Sequence, residues 1–501
     1  MAPTGLIIAS LVGAWFMYQI GYMIYNVYFH PLRKFPGPKL RAASQLIPFY
    51  HMLRGNMDIE MRKLHAQYGE VVRHKPDGVS FITAQAFKDV YGQYGSNSVP
   101  KDHHLYQNQD GEAADIVTAI NDEDHSRLRR ALAHAFSEKA LREQEGYIKE
   151  YIDLLIEKLK GFAASGKAAD LVAWYNFTTF DLIGDLAFGK SFGCLANNQY
   201  HSFVGFIFDS LPAFPWMVVM REYPVIQMML PFIMPKSAKE GSNNVNKYSN
   251  STLDARLQRG VNQERRDFFW YVLRGKDEKT KVSDEELKHT AKTLIFAGSE
   301  TTATLLSGVT YWLCRTPDAM KKVTEEVRAA FQAEDEINVI NATNRLPYLL
   351  ACIDEGFRMY PPVPGGLPRR TKKGKTTMID RWEVPGDTNV SVHQTAAYWS
   401  PLNFNRADEY HPERFQPGWD APDSPWKDDN KAVINPFSLG PRNCVGKNLA
   451  YAEMRLVLAR MLWNFDMELL PESKGWVYGQ KAYGLWHKPT MNVKLSLRKR
   501  G

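Results

Sequence analysis

The stretch Asn435-Pro-Phe437-Ser-Leu-Gly440-Pro-Arg442-Asn-Cys444-Val-Gly446-Lys-Asn-Leu-Ala-Tyr-Ala-Glu-Met-Arg455 sets one cysteine in a glycine-punctuated loop ahead of an apolar run. Gly440 and Gly446 permit backbone angles closed to other residues and let another group approach the main chain. Leu449, Ala452, Met454, Leu456, Val457 and Met461 recur at helical spacing and predict a helix with one buried side. Cys444 then lies just before a helix N-terminus, where partial positive charge and unpaired N–H groups favour a thiolate. Arg442 adds a fixed cation two residues away. Such a thiolate can act as a nucleophile, a redox thiol or a metal ligand, whereas an isolated cysteine is more often a buried structural residue.

The spacing separates these readings. Phe437, Gly440, Arg442, Cys444 and Gly446 together give Phe-x-x-Gly-x-Arg-x-Cys-x-Gly, which resembles the haem-thiolate loop of the cytochrome P-450 superfamily. The resemblance implies a mainly α fold with small β-sheets and an N-terminal transmembrane helix. It implies haem b as cofactor, with Cys444 as axial ligand of the iron and Phe437 shielding the sulfur. A thiolate ligand pushes electron density onto iron and favours O–O cleavage.

A second stretch points the same way. In Leu294-Ile-Phe-Ala297-Gly298-Ser-Glu300-Thr301-Thr-Ala-Thr-Leu-Leu306, two apolar runs flank an acid, three threonines and a glycine. Gly298 costs roughly 1 kcal/mol relative to alanine inside a helix, and the Thr301 hydroxyl can bond the Ala297 carbonyl four residues earlier. A helix with a packing glycine explains this equally well when taken alone. The stretch resembles the family's Ala/Gly-Gly-x-Asp/Glu-Thr-Thr/Ser motif, which implies a bent helix over the iron. Thr301 would hydrogen-bond the dioxygen and Glu300 would relay protons to it.

The third element is Glu355-Gly-Phe-Arg358, with acid and base on one helical face, ahead of Pro361-Pro-Val363-Pro. By resemblance, Arg414 in Pro412-Glu-Arg414-Phe415 completes a structural triad with them. His125 and Arg129 fall one turn apart on a predicted helix; the family usually carries tryptophan where His125 stands. With Arg442 and Arg369 they are the implied partners of the haem propionates, Arg370 being the adjacent alternative to Arg369. Val363 and Leu367 would line the substrate pocket, and residues near Tyr483 to Trp486 would touch substrate.

From Gly5 to Phe29 the sequence carries no charge. As a helix this run would span roughly 37 Å, against a bilayer core of about 30 Å. It is too long for a signal peptide and lacks a basic leader and a small-residue cleavage site. Arg33 and Lys34 follow, placing the remainder on the cytoplasmic side. Residues 1–30 are therefore expected to form an anchor, 31–38 a proline-rich hinge (Pro31, Pro36, Pro38), and 39–501 one catalytic domain.

Composition agrees. The chain has 501 residues, 44% of them hydrophobic, and only 4 cysteines, scattered without zinc-like spacing. That usage suits a reducing compartment. A net charge of +7 is modest for this length and is not a nucleic-acid footprint. The segment Phe203 to Met234 is rich in aromatics and methionines, including Phe206, Phe208, Phe214, Trp216, Met217, Met228, Met229 and Phe232. It resembles the family's lid, as Gly95 to Asp110 resembles the loop that roofs the chamber. A long polar helix is expected over Lys239 to Leu273.

These resemblances imply an NADPH-dependent monooxygenase of the endoplasmic reticulum membrane acting on an apolar small molecule. The phrasing is similar to fungal members of secondary-metabolite pathways. Electrons would come from NADPH–cytochrome P-450 reductase, with cytochrome b5 a further expected partner, because no flavin or nicotinamide segment remains. Arg127, Arg130, Lys139 and Lys447 are the expected basic contacts. The same haem site could instead serve desaturation, ring closure, coupling or isomerisation. A non-catalytic haem sensor would be expected to lack the Glu300–Thr301 pair.

Overall fold

In the computed structural model, which describes residues 2–107, 113–223, 236–261, 266–274 and 281–498, the uncharged N-terminal run is one helix, Ala2–Tyr28. Its Leu11, Trp15 and Phe16 side chains are exposed, and from Gly5 to Tyr28 it is long and apolar enough to cross a membrane. A 3-10 turn at Pro31–Lys34 ends it. The buried Arg73 guanidinium reaches back to the helix end, donating to the Asn26 carbonyl at 2.8 Å and the Pro76 carbonyl at 2.6 Å. Gly37, at φ 155°, is needed there because a Cβ would collide with the Arg73 carbonyl oxygen.

The body is built on long helices whose apolar content exceeds one face. Asp284–Arg315 begins with a capping box in which Ser283 and Glu286 satisfy each other's backbone N–H groups. It packs along Leu171–Phe188, a helix buried at nearly every position. Gly298 sits in that contact, and a Cβ there would crowd the Ile183 side chain. The packing-glycine reading of the threonine stretch is therefore correct, and it coexists with the motif.

The helix after the cysteine, Lys447–Asn464, departs from expectation. Its apolar spacing predicts one buried side, yet every residue from Leu456 to Asn464 is buried. The reason is position: the helices Glu138–Ser165, Asp284–Arg315, Pro317–Ala330 and Val339–Arg345 surround it. Arg460 is accommodated by Asp153 and Glu334, at 2.7 and 2.8 Å. Glu453 has no such arrangement, and burial alone pushes its carboxyl up to about 8.

Two sheets bring distant segments to the site. One orders Val71–Lys75, Gly78–Phe81, Asn389–Val392 and Arg369–Arg370, with the middle pair parallel and Gly78 opposite Asn389. In the other, Phe465–Leu469 pairs antiparallel with Asn492–Leu497, Ala168–Asp170 forming its other edge. The alternation of apolar and polar residues over Phe465 to Leu470 and Met491 to Leu497, which predicts a closing hairpin, is thus realised as a strand pair. A long excursion separates its strands and carries Lys481–Ala482 and Trp486–His487 inward. The long polar region is split into Lys236–Gln258 and Phe268–Arg274. Met228, Met229, Phe232 and Met234 of the expected lid lie outside the described residues, as do 108–110 of the expected roof.

Glu355 and Arg358 lie on the helix Pro347–Met359, and both are without exposed surface. The Arg358 Nε and NH2 groups donate to the two Glu355 oxygens, each at 2.7 Å. Arg414 donates to Glu355 at 3.3 Å and also pairs with Asp429, equally sealed. The set is neutral: two guanidinium groups and two carboxylates. Arg358 further ties down the carbonyls of Tyr398, Ala407 and Glu409.

Removing one member of a buried ion pair costs about 3–5 kcal/mol because its partner's charge stays desolvated. Glu355→Ala leaves two guanidiniums facing one carboxylate, so the expected outcome is loss of haem-loaded protein on expression. A normal reduced-carbonyl spectrum from this variant would contradict it. Glu453→Gln should do the opposite. A carboxyl raised from 4.5 to about 8 on folding binds more protons in the folded state, so its stability cost is absent below pH 4.5 and grows as pH rises towards 8, reaching ~4 kcal/mol. The gain in Tm for Glu453→Gln should therefore be larger at pH 8 than at pH 5; an equal shift at both would argue against it.

Candidate haem-binding active site

The cysteine loop is closed by its own backbone. The Cys444 N–H donates to the Phe437 carbonyl at 2.8 Å, and Ser438 N–H to the Asn435 carbonyl at 2.9 Å. Gly440 stands at φ 70°, where a Cβ would strike the Tyr91 carbonyl oxygen, so glycine is required as expected. Gly446 differs: its φ of −86° is ordinary, and a Cβ would face the Cys444 sulfur and Phe136 at 3.9 Å. Ser438 carries local strain at φ 60°. Phe437 packs edge-on against Phe357 and tilted against Tyr451, centroids 5.1 and 5.3 Å apart.

Cys444 is exposed, unlike the buried Cys194 and Cys352, yet it sits in a recess ringed by protein. Burial raises its thiol, while the Gly446 N–H, Arg129 and Lys447 pull the other way. Loop and helix placement alone therefore do not make a free thiolate, and bonding to a metal would. Arg129, on the helix Asp122–Ala133, places its fork on Asn443, donating to the backbone carbonyl at 2.5 Å and to the side-chain oxygen. This expected propionate partner is committed to the residue beside the cysteine.

The other expected cations converge. Arg442 donates to the Ala119 and Ile120 carbonyls at 2.6 and 2.7 Å and pairs with Asp122 at 2.8 Å. His125 is buried; desolvation together with Arg442, Lys101 and Arg129 pushes it down to about 3. Successive strand residues point to opposite faces, and this separates the two adjacent arginines. Arg370 is neutralised by Asp77, Asp102 and Asp387. Arg369 is buried, lies over the Tyr91 ring at 5.6 Å and has no carboxylate partner among the described residues.

Sequence reasoning missed Lys101. It is buried, bridges to Arg369 across the strand edge and donates to the Val117 carbonyl. Desolvation, Arg442 and Arg369 push its ammonium down to about 7. Nothing in the Pro-Lys-Asp context marks it out. Buried cations lacking counter-ions cost free energy unless a ligand supplies the charge. A cofactor with two carboxylates beside an accessible cysteine fits this donor set: Cys444 for the iron, and Arg369, Lys101, Arg442 and His125 for the carboxylates.

On the threonine helix, Ala297 is exposed and Phe296, Gly298 and Thr301 are half-buried, ahead of the fully buried run Thr302 to Leu313, as the wall of a chamber requires. The Thr301 hydroxyl donates to the Ala297 carbonyl at 2.6 Å, as expected from sequence. Glu300 is placed otherwise. It has no exposed surface, and one oxygen accepts from Lys488 and, at 3.3 Å, from Thr304. Its other oxygen is buried without a partner among the described residues. Burial raises Glu300 and lowers Lys488, each holding the other's charge in place.

Beside the cation cluster lies a cavity of about 510 Å³, bordered by Tyr106, Val117, Val363, Leu367 and Leu485. Tyr106 connects the two, its ring 4.8 Å from the Lys101 ammonium. Val363 and Leu367 thus line a pocket as expected; of Tyr483 to Trp486, Gly484 and Leu485 reach it, while Trp486 stacks on Tyr360. Among the expected reductase contacts, Arg130, Lys139 and Lys447 are exposed, and Arg127 is held by Glu286 at 2.5 Å.

Residues 36–495 match the family model described as Cytochrome P450. The chain is 46% identical over 474 residues to a trichothecene C-4 hydroxylase of Trichoderma arundinaceum, covering 94% of each chain. It is 44% identical over 476 residues to the cytochrome P450 monooxygenase olcB of Penicillium canescens, covering 95% of each. To the monooxygenase astA of Talaromyces wortmannii it is 43% identical over 499 residues, covering 99% of each. A loop that presents Cys444, a ring of cations that needs carboxylates and this likeness along the whole domain have one explanation: the chain belongs to the cytochrome P450 family, the haem b enzymes with a cysteine thiolate on iron.

Proposed function

We propose that this protein is a single-pass microsomal monooxygenase, anchored by residues 1–30, hinged over 31–38, with its catalytic domain, 39–501, facing the cytoplasm. It inserts one oxygen atom of O2 into an apolar intermediate of fungal secondary metabolism, a terpenoid, polyketide or alkaloid. NADPH–cytochrome P-450 reductase supplies electrons, with cytochrome b5 as an accessory donor, and the exposed Arg130, Lys139 and Lys447 are its docking cations. The observation that carries the reading is the accessible Cys444 thiol together with the buried Lys101 and Arg369, which have no ion-pair partner among the described residues. A relative named as a hydroxylase supports hydroxylation as the outcome.

Haem, when bound, supplies the iron chemistry that activates dioxygen. The chain's residues do the rest. Cys444 ligates, and Arg129 holds Asn443 so that its charge stays close to the sulfur. Arg369, Lys101, Arg442 and His125 orient the cofactor through its carboxylates. Thr301, whose proton rests on the Ala297 carbonyl, is the chamber's proton donor. Glu300 stands behind it as a buried acid restrained by Lys488. Glu355, Arg358 and Arg414 fix the scaffold.

Reduced protein under carbon monoxide should show the red-shifted Soret band of thiolate ligation; a preparation that turns over without it refutes the assignment. In Thr301→Ala, NADPH consumption should continue while product per NADPH falls roughly tenfold or more and peroxide rises. Unchanged coupling would remove Thr301 from the proton path.

A further inference from the structure

The cavity is walled mainly by apolar side chains, among them Met52, Met61, Phe214, Val218 and Leu485. Several polar residues also border it, and most of them are matched within the protein: Lys75 by Asp77, His104 by Glu222, Asp102 by Arg370 and Asn389 by Asp102. His74, Asp58 and His393, by contrast, form a part of the wall that is not fully matched. Both ring nitrogens of His74 are buried and have no hydrogen-bond partner among the described residues, and one Asp58 oxygen is in the same state. The other Asp58 oxygen lies 3.9 Å from Arg62. His393 uses Nδ1 on the Thr395 hydroxyl at 3.3 Å.

Structural histidines in this fold are treated differently. His65, on the helix Met57–Tyr68, is buried with both nitrogens satisfied, by the Gly69 carbonyl at 2.8 Å and the Ser80 hydroxyl at 2.9 Å. His74, on a strand of the same sheet as Ser80, borders the cavity with neither nitrogen matched among the described residues. Burial and the neighbouring Lys75 and Arg41 hold it well below its ordinary value, so it is neutral. A neutral imidazole offers one N–H donor and one acceptor nitrogen, a pair that a single hydroxyl group can answer. Buried polar groups left unmatched are costly, whereas matching them with a ligand's group gives discrimination that an apolar wall cannot.

We propose that His74, with Asp58 lining the same cavity, is a hydrogen-bonding station for a hydroxyl group on an otherwise apolar substrate. The enzyme therefore takes a molecule that already carries an alcohol, in preference to the bare hydrocarbon. A step that installs or unmasks a hydroxyl group, by oxygenation, hydration, carbonyl reduction or ester hydrolysis, must precede it in its reaction sequence. The inference rests on the reading of the cavity as the substrate route of a haem monooxygenase.

The test is a cycle of two ligands against two proteins. Binding of farnesol and of farnesene, a C15 alcohol and a C15 hydrocarbon, is measured by equilibrium dialysis against full-length haem-loaded enzyme and its His74→Leu variant. The affinity ratio of alcohol to hydrocarbon should fall roughly fivefold in the variant, the effect expected for one hydrogen bond. His74→Gln, which keeps a donor and an acceptor, should restore most of it. A ratio unchanged by His74→Leu overturns the proposal, and so does a wild-type enzyme that binds no farnesol. Should His74→Leu fail to take up haem, Asp58→Asn carries the same comparison, with a ratio that must also fall. The carbonyl Soret band of the same preparations reports thiolate ligation independently, so the two readings fail separately.

Discussion

Two carboxylates and two guanidiniums sealed from water hold the architecture in register. Glu355, Arg358, Arg414 and Asp429 have no exposed side-chain surface, so each charge depends on the others for its stabilisation. Arg414 and Asp429 belong to a stretch that forms little besides turns and one 3-10 segment, Pro412–Phe415. Such a segment has no ladder of backbone hydrogen bonds to keep its shape. The ion pairs, and the three carbonyls that Arg358 collects, do this instead, and the cysteine loop begins six residues after Asp429. The position of Cys444 is inherited from that anchorage.

The opposite electrostatic choice is made around the cofactor. Lys101 and Arg369 are buried without an ion-pair partner among the described residues; burial, Arg442 and Arg369 lower the proton affinity of Lys101, and burial and Arg442 lower that of Arg369. A lysine held near 7 binds fewer protons folded than unfolded between that value and its ordinary 10.5, so stability rises with pH across this window. An anionic cofactor binds only the folded state and relieves the repulsion, which couples its capture to folding. The scaffold's charges are balanced internally, and those of the site await a ligand.

Legibility from sequence followed locality. The cysteine loop, the threonine helix and Glu355–Arg358 are compact motifs whose members sit within a turn or two, so their order along the chain already encodes their geometry. The Thr301 bond to Ala297 is an example. Lys101, Asp429 and Lys488 are single residues delivered by topology, and nothing in their neighbours distinguishes them from the chain's other lysines and aspartates. Glu300 shows the limit within a motif: its place beside Thr301 was readable, but the partner that turns it into the core arrives from 188 positions away. The choice between Arg369 and Arg370 likewise waited on knowing which strand face each occupies. The all-round burial of Leu456 to Asn464 escaped because periodicity reports one apolar stripe and cannot report how many neighbours a helix has.

The parallel pairing of Gly78–Phe81 with Asn389–Val392 bears on how the polypeptide is made. Its two strands are about 310 residues apart. At ribosomal speeds of about 5–20 residues per second, the earlier strand waits roughly 15 to 60 s for its mate. Throughout that interval the Val71–Lys75 and Gly78–Phe81 ribbon has an open, apolar edge. Closure of the sheet is thus a late event in biogenesis, and because Arg369 lies on the edge strand that pairs with Asn389–Val392, its place beside Lys101 is fixed only after that later strand has emerged.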